Sequence, residues 1–160
     1  MDIKNIPLEV PEGTNIIIGQ SHFIKTVEDV YEAVVNTSST IQFGLAFNEA
    51  SGVCLVRKDG NNDELITRAV DAALAIGAGH IFVLYMKEGF PIQVLPSIRD
   101  TREVVRIYCA TANPVDVIVG ETGQGRAVLG VVDGSPPKGV EKDSDAKERH
   151  EMLRNFGYKR

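Results

Sequence analysis

A chain of 160 residues can bury one well-covered hydrophobic core. Its 43% hydrophobic and 24% charged residues are ordinary for a globular protein. A net charge of −5 excludes a general nucleic-acid binder, whose phosphate contacts require clustered Lys and Arg.

No apolar stretch approaches the roughly 20 residues of a membrane span. Met1-Asp2-Ile3-Lys4 lacks the charged-then-apolar layout of a signal peptide, so a cytoplasmic location and no membrane partner are expected. The two cysteines, Cys54 and Cys109, stand in apolar surroundings and read as buried free thiols. No Cys-x-x-Cys or His-x-x-x-His spacing occurs, which argues against a structural zinc site.

In chain order, Met1 to Val10 reads as an edge strand, because Pro7 lacks a ladder donor. Asn15 to Ile18 is a buried strand that breaks at Gly19. Thr26 is placed to cap a helix to about Val35, with Val27, Val30, Tyr31 and Val34 on one face. Thr40 to Phe47 and Val53 to Arg57 form a hairpin. Asn61 or Asn62 caps a second helix, whose stripe runs Leu65, Ile66, Ala69, Val70, Ala73 and Ile76 and ends at Gly77. Ile81 to Met86 is nearly all apolar and reads as central. Asp100 and Glu103 have capping-box spacing, predicting a helix through Val104, Val105 and Tyr108. Val115 to Val119 and Arg126 to Val132 form a second hairpin across Glu121 to Gly125. A last helix starts near Asp143 to Asp145 and buries Ala146, Leu153 and Phe156, with Gly157 as its stop. These elements predict a single α/β (mixed α+β) domain over 1–160, a mixed sheet with strand hairpins packed by about four helices.

The motifs each carry two readings. In Ile16-Ile17-Ile18-Gly19-Gln20-Ser21-His22, a strand end, a glycine turn and a helix start follow in succession. That geometry exposes a side chain beside free backbone N–H groups, so His22 stands where a phosphate or a nucleophile could be placed; the alternative is an inert histidine at a strand end. Gly77-Ala78-Gly79-His80 sets a second imidazole at a helix–strand junction, functional or structural. His150 lies between Arg149 and Glu151 on a polar helix face and reads as solvated. The glycine-rich Gly120 to Arg126 is followed by a strand instead of a phosphate-binding helix, so a hairpin turn is preferred, with Arg126 free to meet an anion at the sheet edge. Phe23, Phe43 and Phe47 offer stacking surface or simply core. Glu49, in a strand-to-strand turn, is a candidate carboxylate for a metal or a hydroxyl, and Asp59 to Asp63 reads as a turn plus helix cap. Asn113 either shapes the turn before Pro114 or hydrogen-bonds a base edge.

Several blocks together resemble one family. Gly19-Gln20-Ser21-His22-Phe23-Ile24-Lys25-Thr26-Val27-Glu28-Asp29 and Phe43-Gly44-Leu45-Ala46-Phe47-Asn48-Glu49-Ala50-Ser51-Gly52 are two of them. Gly77 to His80, Phe90-Pro91-Ile92, Ala110 to Pro114, Leu129 to Gly134 and Leu153 to Lys159 complete the set. They are similar to the adenosine-specific kinase family. The resemblance implies an α/β protein that assembles as a homo-oligomer built on trimers, binds adenosine or an adenine nucleotide, and carries a stable phosphohistidine. His22 and His80 both lie in matching blocks. His22 is favoured as nucleophile, because Gly19, Gln20, Ser21 and Lys25 beside it can donate to a phosphoryl group. Glu49 or Asp133 would hold Mg²⁺ or accept a ribose proton. The rival function is a non-catalytic adenine-nucleotide-binding or sensor module; a phosphate-ester hydrolase is a third.

Overall fold

The computed structural model describes all 160 residues. The elements are β1 (Asp2–Leu8), β2 (Asn15–Ser21), α1 (Thr26–Thr37), β3 (Gln42–Asn48), β4 (Val56–Gly60) and α2 (Asp63–Ile76). They continue with β5 (Ile81–Lys87), α3 (Pro91–Asp100), β6 (Val104–Thr111), β7 (Val115–Glu121), β8 (Arg126–Asp133) and α4 (Asp143–Asn155).

The mixed α+β class and the four helices are as expected, but the strands part into two sheets. One has the order β4-β3-β5-β2-β6 and the other β1-β7-β8. Every ladder is antiparallel; the one parallel pairing is the isolated bridge between Ala78 and Arg126. A crossover does exist: α1 carries the chain from β2 to β3, which run the same way. The slot between them is filled by β5, antiparallel to both, so no parallel pair forms. As its apolar run predicts, β5 is the central strand, and β1 is an edge.

The five-stranded sheet buries both faces. Ile16, Ile18, Ala46, Val83 and Tyr85 pack on Leu65, Ala69, Ala73 and Ile76 of α2 and on Val115, Val117 and Val119 of the small sheet. Ile17, Phe43, Leu45, Phe47, Phe82 and Leu84 pack on Val30 and Val34 of α1 and on Val94 and Ile98 of α3. Buried alternate residues on both faces explain the continuous apolar runs of β2, β3 and β5.

Four local expectations are corrected. Thr26 is not a cap: Lys25 holds that position in helical geometry, and Thr26 is buried inside the first turn, bonding the Phe23 carbonyl at 2.6 Å. The helix expected from Asp100 is absent. Asp100 ends α3, and Val104, Val105, Ile107 and Tyr108 belong to β6, where β-branched side chains fit the pleat. The missed α3 starts on Pro91, a residue suited to a first turn because its lost N–H has no partner there anyway. α4 forms as expected but buries none of its residues, and Phe156 is exposed. Cys54 is exposed on the β3–β4 turn, while Cys109 is buried; both are free thiols. The α2 reading holds, with Asn62 accepting the Leu65 N–H at 3.1 Å and Gly77 closing the helix at φ 63°.

Candidate functional site

Segments far apart in sequence end on one edge of the large sheet. Gln20 stands opposite Ile81 in the β2–β5 ladder, and Ser21 opposite Val104 in the β2–β6 ladder. That register brings His22, just past β2, beside His80, just before β5. The Ser21 N–H donates to the His80 carbonyl at 3.0 Å, and the His22 N–H to the Glu103 carbonyl at 3.1 Å. β3 ends on the same edge, where the Asn48 carbonyl accepts the His80 N–H at 2.7 Å.

The two imidazoles differ in setting. His22 is exposed. His80 is half-buried and stacks on Phe47, with ring centroids 5.9 Å apart and planes 17° from parallel. Its backbone lies at φ 63°, a left-handed conformation that favours glycine and that the two flanking hydrogen bonds hold in place.

Beside His22 the chain turns into α1. The backbone N–H groups of Phe23, Ile24 and Lys25 bond nothing within the chain, whereas the Thr26 N–H is taken by the Phe23 carbonyl at 3.0 Å. Open N–H groups and the positive end of the helix make this first turn attractive to an anion. Lys25 adds a full charge: its ammonium lies 2.8 Å from Asp29, whose hydrogen bond holds the Lys25 pKa above its ordinary value.

Of the other donors expected around His22, Gly19 and Ser21 are held inside the fold, while Gln20 keeps both of its amide N–H donors. Gly19 is a packing glycine: a Cβ there would lie 2.3 Å from the Phe82 ring and 2.9 Å from the Arg106 carbonyl. Ser21 is buried, its hydroxyl 2.7 Å from that of Thr26. The Gln20 side chain accepts the Tyr108 hydroxyl at 3.4 Å. Arg126 spends its fork inside the fold, bonding Glu121 and the last carbonyls of α2 at Ala75 and Ile76. The loop before it is a hairpin turn, closed by Thr122 N–H to Gly125 at 2.8 Å. Phe43 and Phe47 are core, so Phe23 alone of the three phenylalanines offers open stacking surface. His150 is solvated, and Asp59 to Asp63 is a turn plus cap.

Glu49 lies on the histidine edge. It accepts the Leu55 N–H at 3.0 Å and lies 3.2 Å from Arg57, and that backbone bond, then the guanidinium, depresses its pKa. Asn113 and Asp133 lie elsewhere. They bond each other at 2.9 Å where β6 turns into β7, at the opposite end of the sheet. Glu49 and Asp133 therefore cannot share one Mg²⁺, and no three His, Cys, Asp or Glu side chains converge to hold a metal ion. Both Glu49 oxygens are already engaged, by the Leu55 N–H and the Arg57 guanidinium.

Three groups on this edge carry no signal in the sequence. Arg57 reads there as a strand residue. Asp29 and Glu103 are 74 positions apart in sequence by subtraction of their numbers, yet the fold sets them close enough for each carboxyl group to shift the other's titration. Burial, then the Asp29 charge, pushes Glu103 up, while Lys25 pulls Asp29 down. One cleft of about 650 Å³ runs from Phe23, Ile24 and Lys25 to Arg57 and Lys58 on β4. An exposed aromatic ring and three cations line it together with the carboxylates of Glu28 and Asp59, and its wall at Phe23 begins one residue past His22.

Residues 6–159 match the family model described as adenosine specific kinase. The chain belongs to the adenosine-specific kinase family. Its fold is also that of a solved family-sized protein, described as the crystal structure of PH1918 protein from Pyrococcus horikoshii OT3. The two are 46% identical with a TM-score of 0.95, over 99% of this chain and 98% of that one. No curated protein matches the chain. Family membership supports an adenosine-related kinase activity, and no helix is long and apolar enough to cross a membrane.

Proposed function

We propose that the protein is a phosphotransferase that binds adenosine or an adenine nucleotide and acts through a phosphohistidine at His22. The observation that carries this reading is an exposed imidazole beside three unbonded backbone N–H groups and the Lys25 ammonium. Such a site gives a transferring phosphoryl group what it requires, namely alignment and positive charge. The adjoining cleft carries Phe23 for a base and Arg57 and Lys58 for further phosphates.

In the first step a neutral ring nitrogen of His22 attacks the phosphorus of a phosphoanhydride donor. The P–N bond forms, the P–O bond breaks, and the leaving oxygen departs with the electron pair. In the second step a ribose hydroxyl oxygen attacks the phosphorus and the P–N pair returns to the ring. The hydroxyl proton passes to solvent. Glu49 is a weak proton acceptor, because its ion pair and its bond to Leu55 depress its basicity.

The resemblance to the family also supports a homo-oligomer built on trimers. Ile3, Leu129 and Val132, exposed on the outer face of the small sheet, are apolar surface that such an assembly requires.

Turnover tests the reading. Incubated with adenosine and a nucleoside triphosphate, the protein should release phosphorylated nucleoside in molar excess over itself. One equivalent or less would leave a binding module in place of a kinase.

A further inference from the structure

At the end of the sheet opposite the histidines lies a cleft of about 540 Å³, within the size range of small-ligand pockets. Phe90, Ile92 and Leu95 at the start of α3 form one wall, and Ala110 to Ala112 at the end of β6 form another. Phe156 and Tyr158, beyond α4, close it, their rings edge to face at 6.4 Å. α4 buries nothing of its own. The chain comes back to the body of the protein at this cleft, held in a tight turn by Gly157 at φ 79° and by the Tyr158 N–H on the Leu153 carbonyl at 3.0 Å.

The floor of this apolar cleft is polar. Asn15 is 6% exposed, and its side-chain amide makes no hydrogen bond to the rest of the chain. It is not among the side chains whose unpartnered atoms are sealed from solvent, so what remains accessible of it opens into the cleft. Thr111 stands opposite Ile16 on β6, so its side chain lies on the other face of the sheet from that of Asn15, and its oxygen accepts the Asn113 N–H at 3.0 Å. Burying an amide without a partner is costly, so a native fold keeps one where a ligand or water completes it.

An amide presents a donor and an acceptor side by side. The edge of adenine that carries the 6-amino group and N7 offers the complementary acceptor and donor, the pairing Asn makes with adenine in general. Aromatic walls supply the stacking faces for a flat ring. We propose that this cleft is a second binding site, for a 6-aminopurine base, with the Asn15 amide reading its amino edge and Phe90 and Tyr158 flanking the ring. Six residue steps along β2 separate Asn15 from Ser21, about 20 Å at the usual strand rise. A nucleoside held here does not reach His22 of its own chain, so the site is distinct from the phosphoryl-transfer edge and does not rest on its chemistry.

Photolabelling of the full chain with 8-azidoadenosine tests this without a variant. Label is expected on the peptides holding Phe156 and Tyr158 or Phe90 to Leu95, protectable by adenosine and far less by purine riboside, which lacks the 6-amino donor that the amide oxygen accepts. In calorimetry, Asn15→Leu should weaken adenosine binding at one class of site roughly tenfold or more, and His22→Gln should leave that class intact. Label confined to Phe23 to Lys25, equal protection by purine riboside, or an unchanged Asn15→Leu titration would each overturn the proposal. So would loss of oligomeric state in Asn15→Leu with adenosine binding retained, which would assign the cleft to a second copy of the chain.

Discussion

The two ends of the five-stranded sheet are built from opposite materials. At the histidine end, β2, β3, β5 and β6 run out into polar residues tied to each other: Ser21 to His80, His80 to Asn48, His22 to Glu103. At the other end the strands open on an apolar cleft with a single free amide beneath it. One end is polar and charged; the other is apolar apart from one amide. The same strand, β2, connects them and keeps them about 20 Å apart.

That contrast can be broken by mutation, because the histidine end is tightly packed and the far turn is not. Gly19→Ala should have the largest effect. Its methyl would enter the Phe82 ring and the Arg106 carbonyl together, and the expected loss is about 3 kcal/mol or more by denaturant unfolding. A variant of parental stability would mean that Gly19 is not a packing glycine. Asn48→Ala comes next. Its amide donates to the Ala73 and Ala78 carbonyls at 2.8 and 2.9 Å, so two buried acceptors lose their partner, for about 2–3 kcal/mol.

Glu103→Gln sharpens the electrostatic side of the comparison. Burial raises the Glu103 pKa above its ordinary 4.5, so the folded chain holds that proton more tightly than the unfolded one. Stability from this group is therefore full below the ordinary value and is lost as pH rises through the raised one. Asp29 acts in the opposite sense, its contribution present above 3.8 and lost as pH falls through its lowered value. Gln cannot ionise. The variant should melt higher than the parent at about pH 7.5, and the gap should shrink toward about pH 4. A gap independent of pH would remove Glu103 as the titrating group. The smallest change is expected at the far turn: Asn113→Ala loses one exposed bond to Asp133 and should cost within about 1 kcal/mol.

Much of this fold was legible in the sequence where one signal spoke alone. Asn62, the apolar stripe from Leu65 to Ile76 and Gly77 agree on α2, and the apolar run of β5 marks the centre of the sheet. Legibility failed where two signals overlapped. Asp100 and Glu103 imitate a capping box, but they belong to two elements, and the β-branched residues that follow are a strand. Pro96 inside α3 hid that helix. α4 has a helical pattern, yet periodicity does not say whether a surface waits to cover it. The histidine edge was legible as residues and not as an arrangement. His22 and His80 share one sheet edge because Gln20 pairs with Ile81, a register that no local pattern encodes. The free amide of Asn15 has no sequence signature at all, since it depends on what the other nine lining residues leave open.

The account rests on His22 as the phosphoryl acceptor. After incubation with a nucleoside triphosphate at neutral pH, the modified chain can be digested at neutral pH and its acid-labile phosphate located by mass spectrometry. The phosphate should sit on the peptide that contains His22, and His22→Gln should abolish it while His80→Gln does not. Phosphate on His80, or only acid-stable phosphate on hydroxyl side chains, would contradict the account.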